Sequence, residues 1–200
     1  FMKADYLIVS KKIGAANAIS GNSNTFNTSE IDDINAQDFT KKAGKFTSTE
    51  YKVDANMGVN GQSILNSELF FESVPDGFVD VPLQDWTYTE GSKEVPIILP
   101  RTYINMYNFG FAQSHSLPKI SDGLVGMIDF KIFIHGNGHS DEYKGKVIGF
   151  SNRLNTILVP QKFMDWSNEY YAPNQKSDPT RLIVEVGNPA DDNTTKYLDK

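Results

Sequence analysis

Val95-Pro96-Ile97-Ile98-Leu99-Pro100 opens, and Thr156-Ile157-Leu158-Val159-Pro160 closes, the stretch whose reading decides the fold of this chain. Between them, Gly126-Met127-Ile128-Asp129-Phe130-Lys131-Ile132-Phe133-Ile134 sets Ile128, Phe130, Ile132 and Ile134 on one face, the period-2 mark of a half-buried strand. Gly136-Asn137-Gly138-His139-Ser140-Asp141-Glu142 follows as a turn-rich loop that folds the chain back, and Tyr143 to Phe150 is the return strand. The stretch therefore reads as a β-rich body, and everything before Val95 and after Tyr171 is arranged around it.

Working outward, Tyr6 to Ser10 is a short strand and Gly14 to Asn27, rich in Gly, Ala, Ser and Asn, is a surface loop. Ser29 before Glu30-Ile31-Asp32-Asp33-Ile34 predicts a serine-capped helix with an acidic first turn, ending near Asp38 to Phe39. Lys42 to Val53 reads as one long strand, Asn56 to Asn66 as a turn, and Glu68 to Val74 as a strand stopped by Pro75-Asp76-Gly77. Phe78 to Trp86 is predicted as a short helix or turn. On the far side, Gln161 to Tyr171 places Phe163, Trp166 and Tyr170 at helical spacing. Arg181 to Val186 is a strand, and Asn188 to Asp192 caps a last helix. This final strand and helix most simply rejoin the first part. The expectation is an α+β fold in which residues 1–92 and 173–200 make a discontinuous β-α-β lobe and residues 93–172 form a smaller inserted β-rich lobe.

Two hundred residues suffice for a real core, and 39% hydrophobic with 22% charged residues is ordinary for a globular chain. The net charge of -6, with no lysine-arginine cluster, lacks the basic footprint a nucleic-acid partner requires. Zero cysteines exclude disulfides, thiolate metal sites and a cysteine nucleophile. No apolar run reaches the ~20 residues of a membrane span, and no basic-then-apolar start reads as a signal peptide. A start at Phe1-Met2-Lys3 and an end inside a predicted helix fit a segment cut from a longer protein.

Chemistry is thinly spread. His135 and His139 flank the Gly136–Gly138 turn beside Asp141 and Glu142, residue types that ligate zinc or copper, but no third histidine stands at a supporting spacing, so an ordinary polar hairpin is the better reading and no metal or cofactor is expected. Ser114-His115-Ser116 is adjacency without a nucleophile elbow, and no Gly-x-x-x-x-Gly-Lys-Ser/Thr phosphate loop occurs, so no catalytic residue is assigned. Tyr103, Tyr107, Phe109 and Phe111, with Trp166, Tyr170 and Tyr171, either line a groove for a lipid, peptide or hydrophobic substrate or pack in a core. The i, i+4 spacing of Tyr103 and Tyr107 favours the core.

The order of elements resembles the extracytoplasmic core domain of MacB/FtsX-type ABC transporter permeases. Ser29 to Ile34 resembles that family's first helix, Phe70 to Asp76 the strand and turn before the insertion, and Val95 to Leu99 with a Thr102–Tyr107 helix the start of the small lobe. Lys144 to Phe150, Ile157 to Pro160 and Ile183 to Val186 resemble the later strands and the return. Tyr107 to Ala112, Gly149 to Asn155 and Phe163 to Asn168 are more similar to FtsX-like permeases of Bacteroidetes-type bacteria than to macrolide exporters.

The resemblance implies a Porter-like lobe made by both termini and a Sabre-like inserted lobe. It also implies a place outside the cytoplasmic membrane, in the periplasm, as a domain of an integral membrane protein between two transmembrane helices. A separate ATPase subunit would drive its motion, and an envelope protein or hydrophobic substrate would be its further partner. The expected function is non-catalytic coupling of helix motion to that partner, with Tyr107, Phe109, Phe111, His115, His139, Asp141 and Glu142 as candidate contacts. A free-standing secreted binding protein is the alternative, and a hydrolase a distant third.

Overall fold

The computed structural model describes residues 5–12 and 24–199. In chain order these are β1 (Asp5–Ser10), α1 (Thr28–Asn35), β2 (Thr40–Lys45), β3 (Thr47–Ser48), β4 (Lys52–Val59), β5 (Gln62–Leu69) and β6 (Glu72–Ser73). Then come β7 (Glu94–Pro100), α2 (Arg101–Met106) continuing into a π-helical turn (Tyr107–Phe111), β8 (Ile128–Gly136), β9 (His139–Ser151), α3 (Gln161–Tyr171), β10 (Arg181–Val186) and α4 (Asp192–Leu198). The chain divides into two compact units, 1–47 with 177–200 and 48–176.

The first unit is a three-stranded antiparallel sheet in the order β1-β10-β2. Its central strand β10 pairs with β1 (Leu7 opposite Val184) and with β2 (Leu182 opposite Lys45). Leu182, Val184 and Val186 therefore project together from one face, and Phe26 and Ile34 close over them with Ile31, Phe39 and Tyr197 alongside. Burying this patch is what holds α1, too short to be stable alone, on the sheet. The cap of α1 is Asn27, not Ser29. Its side chain accepts from the Glu30 N–H at 2.9 Å while Glu30 accepts from the Asn27 N–H, a reciprocal capping box. Of the expected surface loop before α1, residues 14–23 lie outside the described residues, and Phe26 at its end is buried.

The second unit is built on a five-stranded sheet, β5-β4-β8-β9-β7, antiparallel except for the parallel pair β9-β7. Phe130, Ile132 and Ile134 of β8 stand beside Met57, Ala55 and Val53 of β4, and all six are buried. Alternation and register agree, so one face of the sheet is apolar and the other carries charge to water. Helix α3 covers the apolar face with Phe163, Met164 and Tyr171.

This sheet corrects the expected domain boundary. Residues 52–69 belong to the inserted unit, whose limits are 48 and 176 rather than 93 and 172, and that unit is the larger of the two. The predicted long strand Lys42–Val53 is broken into β2, β3 and the start of β4. The predicted turn Asn56–Asn66 is mostly strand. The turn proper is Asn60-Gly61, with φ of 51° and 76°, the left-handed pair that a two-residue hairpin demands. The Gly136–Glu142 loop shrinks in the same way to Asn137-Gly138, with φ of 49° and 75°. His139, Asp141 and Glu142 are strand residues of β9.

Candidate functional site

The candidate contact residues fall into two groups at opposite ends of the five-stranded sheet. One surrounds the β8–β9 hairpin, the other the helical excursion between β7 and β8. At ~3.4 Å per residue, the length of β8 alone separates them by about 27 Å, so they do not form one site.

At the hairpin end the pleat divides the candidates. Asp141 stands opposite Ile134 and shares its inward face, whereas Glu142 stands opposite Phe133 on the charged outer face. Asp141 accepts from Lys93 Nζ at 2.9 Å and from the Tyr171 hydroxyl at 2.8 Å. The Tyr171 and Tyr143 hydroxyls lie 2.6 Å apart. Because the Tyr171 proton is committed to the carboxylate, Tyr143 is the donor to Tyr171. The bond from Lys93, then that from Tyr171, holds the Asp141 carboxyl below the usual carboxylate range. Burial, reinforced by the bonds to Tyr143 and Asp141, pushes the Tyr171 phenol far above its usual value. An ionised carboxylate bonded to a lysine and a neutral phenol orders the hairpin against α3.

His139 lies flat on Tyr170, centroids 4.3 Å apart, and Tyr170 in turn on Trp166 at 5.2 Å. Asn137 Nδ2 donates to the Tyr170 carbonyl at 3.2 Å. Gly136 packs so closely on Tyr171 that a Cβ there would fall about 3.1 Å from the Tyr171 Cβ and nearer still to its carbonyl oxygen. His135 turns away from this group: its Nδ1 is 3.0 Å from Ser140 Oγ, and its Nε2 is 3.9 Å from Asp54. Among the described residues no three His, Asp or Glu side chains converge as metal ligands.

At the other end, Arg101 anchors the helical excursion. Its guanidinium forks onto Asp122, with Nη2 at 2.9 Å from Oδ2, while Nε donates to Asn152 at 3.0 Å. Asn108 clasps Ile120 in both directions, each bond 2.7 Å. The Ala112 N–H reaches back five residues to the Tyr107 carbonyl, and this wider turn shifts which side chains face the core. Tyr107 is buried at 5% exposure and its hydroxyl donates to the Pro118 carbonyl at 3.0 Å, so it is a core residue and not a contact. Phe111 is half-buried with His115 stacked on it, centroids 4.1 Å apart. Phe109 stands out at 65% exposure, with Lys119 Nζ 4.7 Å from its ring centroid.

Met106, at 71% exposure, and Leu124 add to the apolar surface of this excursion. Neither was among the sequence candidates. Met106 lies three residues before Phe109, a helical neighbour whose exposure is legible only once Tyr103 and Tyr107 are known to take the buried side. Beneath the helix a small apolar cavity of about 20 Å³ is lined by Met57, Ile64, Leu99, Tyr103, Tyr107 and Phe150 among others.

Residues 7–200 match the family described as "PCD-like: Probable transporter periplasmic core domain". The chain belongs to that family. As a transporter periplasmic core domain it lies on the extracytoplasmic side of the membrane. No helix among its described residues is long and apolar enough to cross a membrane. Among solved structures, this core domain is similar to the extracellular domain of the noncanonic ABC-type transporter YknZ from Gram-positive bacteria. The two are 15% identical, with a TM-score of 0.43 over 98% of this chain and 89% of that one. It is also similar to the periplasmic region of MacB from Actinobacillus actinomycetemcomitans, at 13% identity and a TM-score of 0.42 over 96% of this chain and 79% of that one. No curated protein matches the core domain. Both groups of candidate residues lie in its larger unit, one as a closed polar clamp and the other as an exposed apolar surface.

Proposed function

We propose that this periplasmic core domain is a non-catalytic part of an FtsX-like ABC transporter permease, passing the motion of transmembrane helices to an envelope partner or substrate. The observation that carries the reading is how the larger unit is hung. It leaves the smaller unit after β2 and re-enters at β10, and these strands are paired neighbours, Lys45 opposite Leu182. The Phe46 N–H bonds to the Arg181 carbonyl at 3.1 Å, so both connections start from one hydrogen-bonded point. A displacement of the small sheet is thus delivered to both ends of the larger unit together. The ABC class, the separate ATPase subunit and the flanking membrane helices come from the resemblance of the sequence to MacB/FtsX-type permeases.

On this reading the domain acts by contact, through surfaces of its larger unit, and contact changes a partner's affinity only where the contacts differ between two states. The exposed Met106 and Phe109, together with His139 and Glu142 at the other end, are the contacts to test. In the full-length transporter, Met106→Ser with Phe109→Ser, and separately His139→Ala with Glu142→Ala, are assayed for transport phenotype and for ATPase-subunit binding. Loss of phenotype in either set with ATPase binding intact supports the contact role; unchanged phenotype in both sets overturns it.

A further inference from the structure

The two edges of the five-stranded sheet are built differently. Edge strand β7 contains Pro96 and Pro100, which have no N–H to offer, and Leu158 covers it by a pair of backbone bonds with Ile98 at 2.9 and 3.1 Å. Edge strand β5 has no proline and one charge, Glu68, which is drawn to Lys52 on β4 at 2.8 Å. Among the described residues no element pairs with its outer side. Proline, lysine, a β-bulge or cover is the usual defence of an edge, and the stretch of β5 from Leu65 to Leu69 has none of these, which leaves it a template for another strand.

The residues of β5 name the strand that fits. The register with β4 shifts at Met57/Gly58, leaving Ile64 as the extra residue, and from there Leu65–Leu69 pairs regularly with Met57–Val53. Leu65, Ser67 and Leu69 share the face of the buried Met57, Ala55 and Val53, while Asn66 and Glu68 take the other. The run Leu-Asn-Ser-Glu-Leu thus has the same chemistry read in either direction about Ser67: apolar, polar, small, polar, apolar.

We propose that the occupant of this edge is β5 of a second copy of the chain, paired antiparallel about a two-fold axis at Ser67. In that register Leu65 meets Leu69 of the second copy, Asn66 meets Glu68, and Ser67 meets Ser67. Apolar opposes apolar, an amide opposes each carboxylate, and each Glu68 keeps its Lys52, as a self-complementary two-fold interface requires. The sheet then runs without a break through both copies. This interface goes beyond the coupling role and does not depend on it.

The chain has no cysteine, so a single introduced one reports cleanly. Directly opposed residues of an antiparallel pair have Cα atoms about 4.5–5.5 Å apart, within disulfide range. Two Asn66 residues in the same register lie about 8 Å apart, beyond it. Under mild oxidation Ser67→Cys therefore gives a covalent dimer, and Asn66→Cys, equally exposed, gives little. By sedimentation velocity the unmodified chain dimerises with rising concentration, and Ser67→Lys, which sets two cations across the axis, remains monomeric with unchanged melting temperature. Equal cross-linking of the two cysteine variants, a wild-type chain that stays monomeric to millimolar concentration because the edge serves some other protein's strand, or a Ser67→Lys chain that still dimerises would each overturn the proposal.

Discussion

The Arg181 guanidinium lies over the Phe46 ring, 4.4 Å from its centroid, on the same pair of residues whose backbones are hydrogen-bonded where the smaller unit hands the chain to the larger. Phe46 is buried. Phe46→Ala should therefore cost about 3–5 kcal/mol of stability, and Arg181→Met, which keeps the packing and loses the charge over the ring, about 0.5–1 kcal/mol. Urea denaturation measures both. In the full-length transporter Arg181→Met should weaken transport while leaving the domain folded, and full transport in that variant would deny the junction a part in coupling.

Gly136 and Gly110 should respond oppositely to the same substitution. A Cβ at Gly136 runs into the Tyr171 backbone, so Gly136→Ala forces the hairpin off α3 and destabilises by about 1–3 kcal/mol. A Cβ at Gly110 meets nothing within 4 Å on a helical turn, and Gly110→Ala should stabilise by about 0.5–1 kcal/mol. Equal denaturation midpoints for the two variants would mean that the hairpin is not seated on Tyr171.

The tyrosines predict an alkaline limit. Burial pushes Tyr88 and Tyr197 up to about 12, and pushes Tyr51 and Tyr171 further above the usual phenol range. A folded-state pKa raised above the unfolded value of ~10 contributes stability that is complete below pH ~10 and is lost as pH climbs toward the folded value. Of the nine tyrosines, Tyr51 and Tyr171, pushed furthest above the usual range, should give no phenolate absorbance until the fold opens. Their titration in step with the exposed tyrosines, with the fold intact, would refute the buried network.

Asp141 predicts the acid side with the opposite sign. Its carboxyl is held low by Lys93 and then by Tyr171, so its contribution is complete above the unfolded value of ~3.9 and disappears as pH falls through the lower folded value. Asp141→Asn should lower stability at neutral pH and flatten its fall below about pH 4. Unfolding curves for the two proteins that stay parallel across that range would assign the acid loss to other carboxylates.

Tyr107 and Phe109, two residues apart, should separate core from surface. Tyr107→Ala removes a buried ring and its bond to Pro118 and should cost about 3–5 kcal/mol. Phe109→Ser should change stability by no more than about 0.5 kcal/mol. Thermal melts of both decide whether the π-helical turn presents Phe109 as described.

Much of the fold was legible along the chain because burial on one face leaves a local period. Ile128, Phe130, Ile132 and Ile134 announce β8, Arg181 to Val186 announces β10, and Phe163 with its neighbours announces α3. The membership of β4 was not read, although Val53, Ala55, Met57 and Val59 alternate, because Asp54, Asn56 and Gly58 between them carry weak strand preference. Only pairing with Ile134, Ile132, Phe130 and Ile128 makes that segment a strand of the inserted unit, and so moves the boundary from 93 to 48. The candidate contacts were half legible for the same reason. Residue types at Tyr107, Phe109 and Asp141 were plain, but which faces water depends on a π-helical turn and on the pleat of β9, and those are set by hydrogen-bonding partners far away in sequence: Ile120 for Asn108, Lys93 and Tyr171 for Asp141. Periodicity is a property of neighbours along the chain and can be read from it. Register, edge and exposure are properties of pairs brought together by folding, and only the tertiary structure decides them.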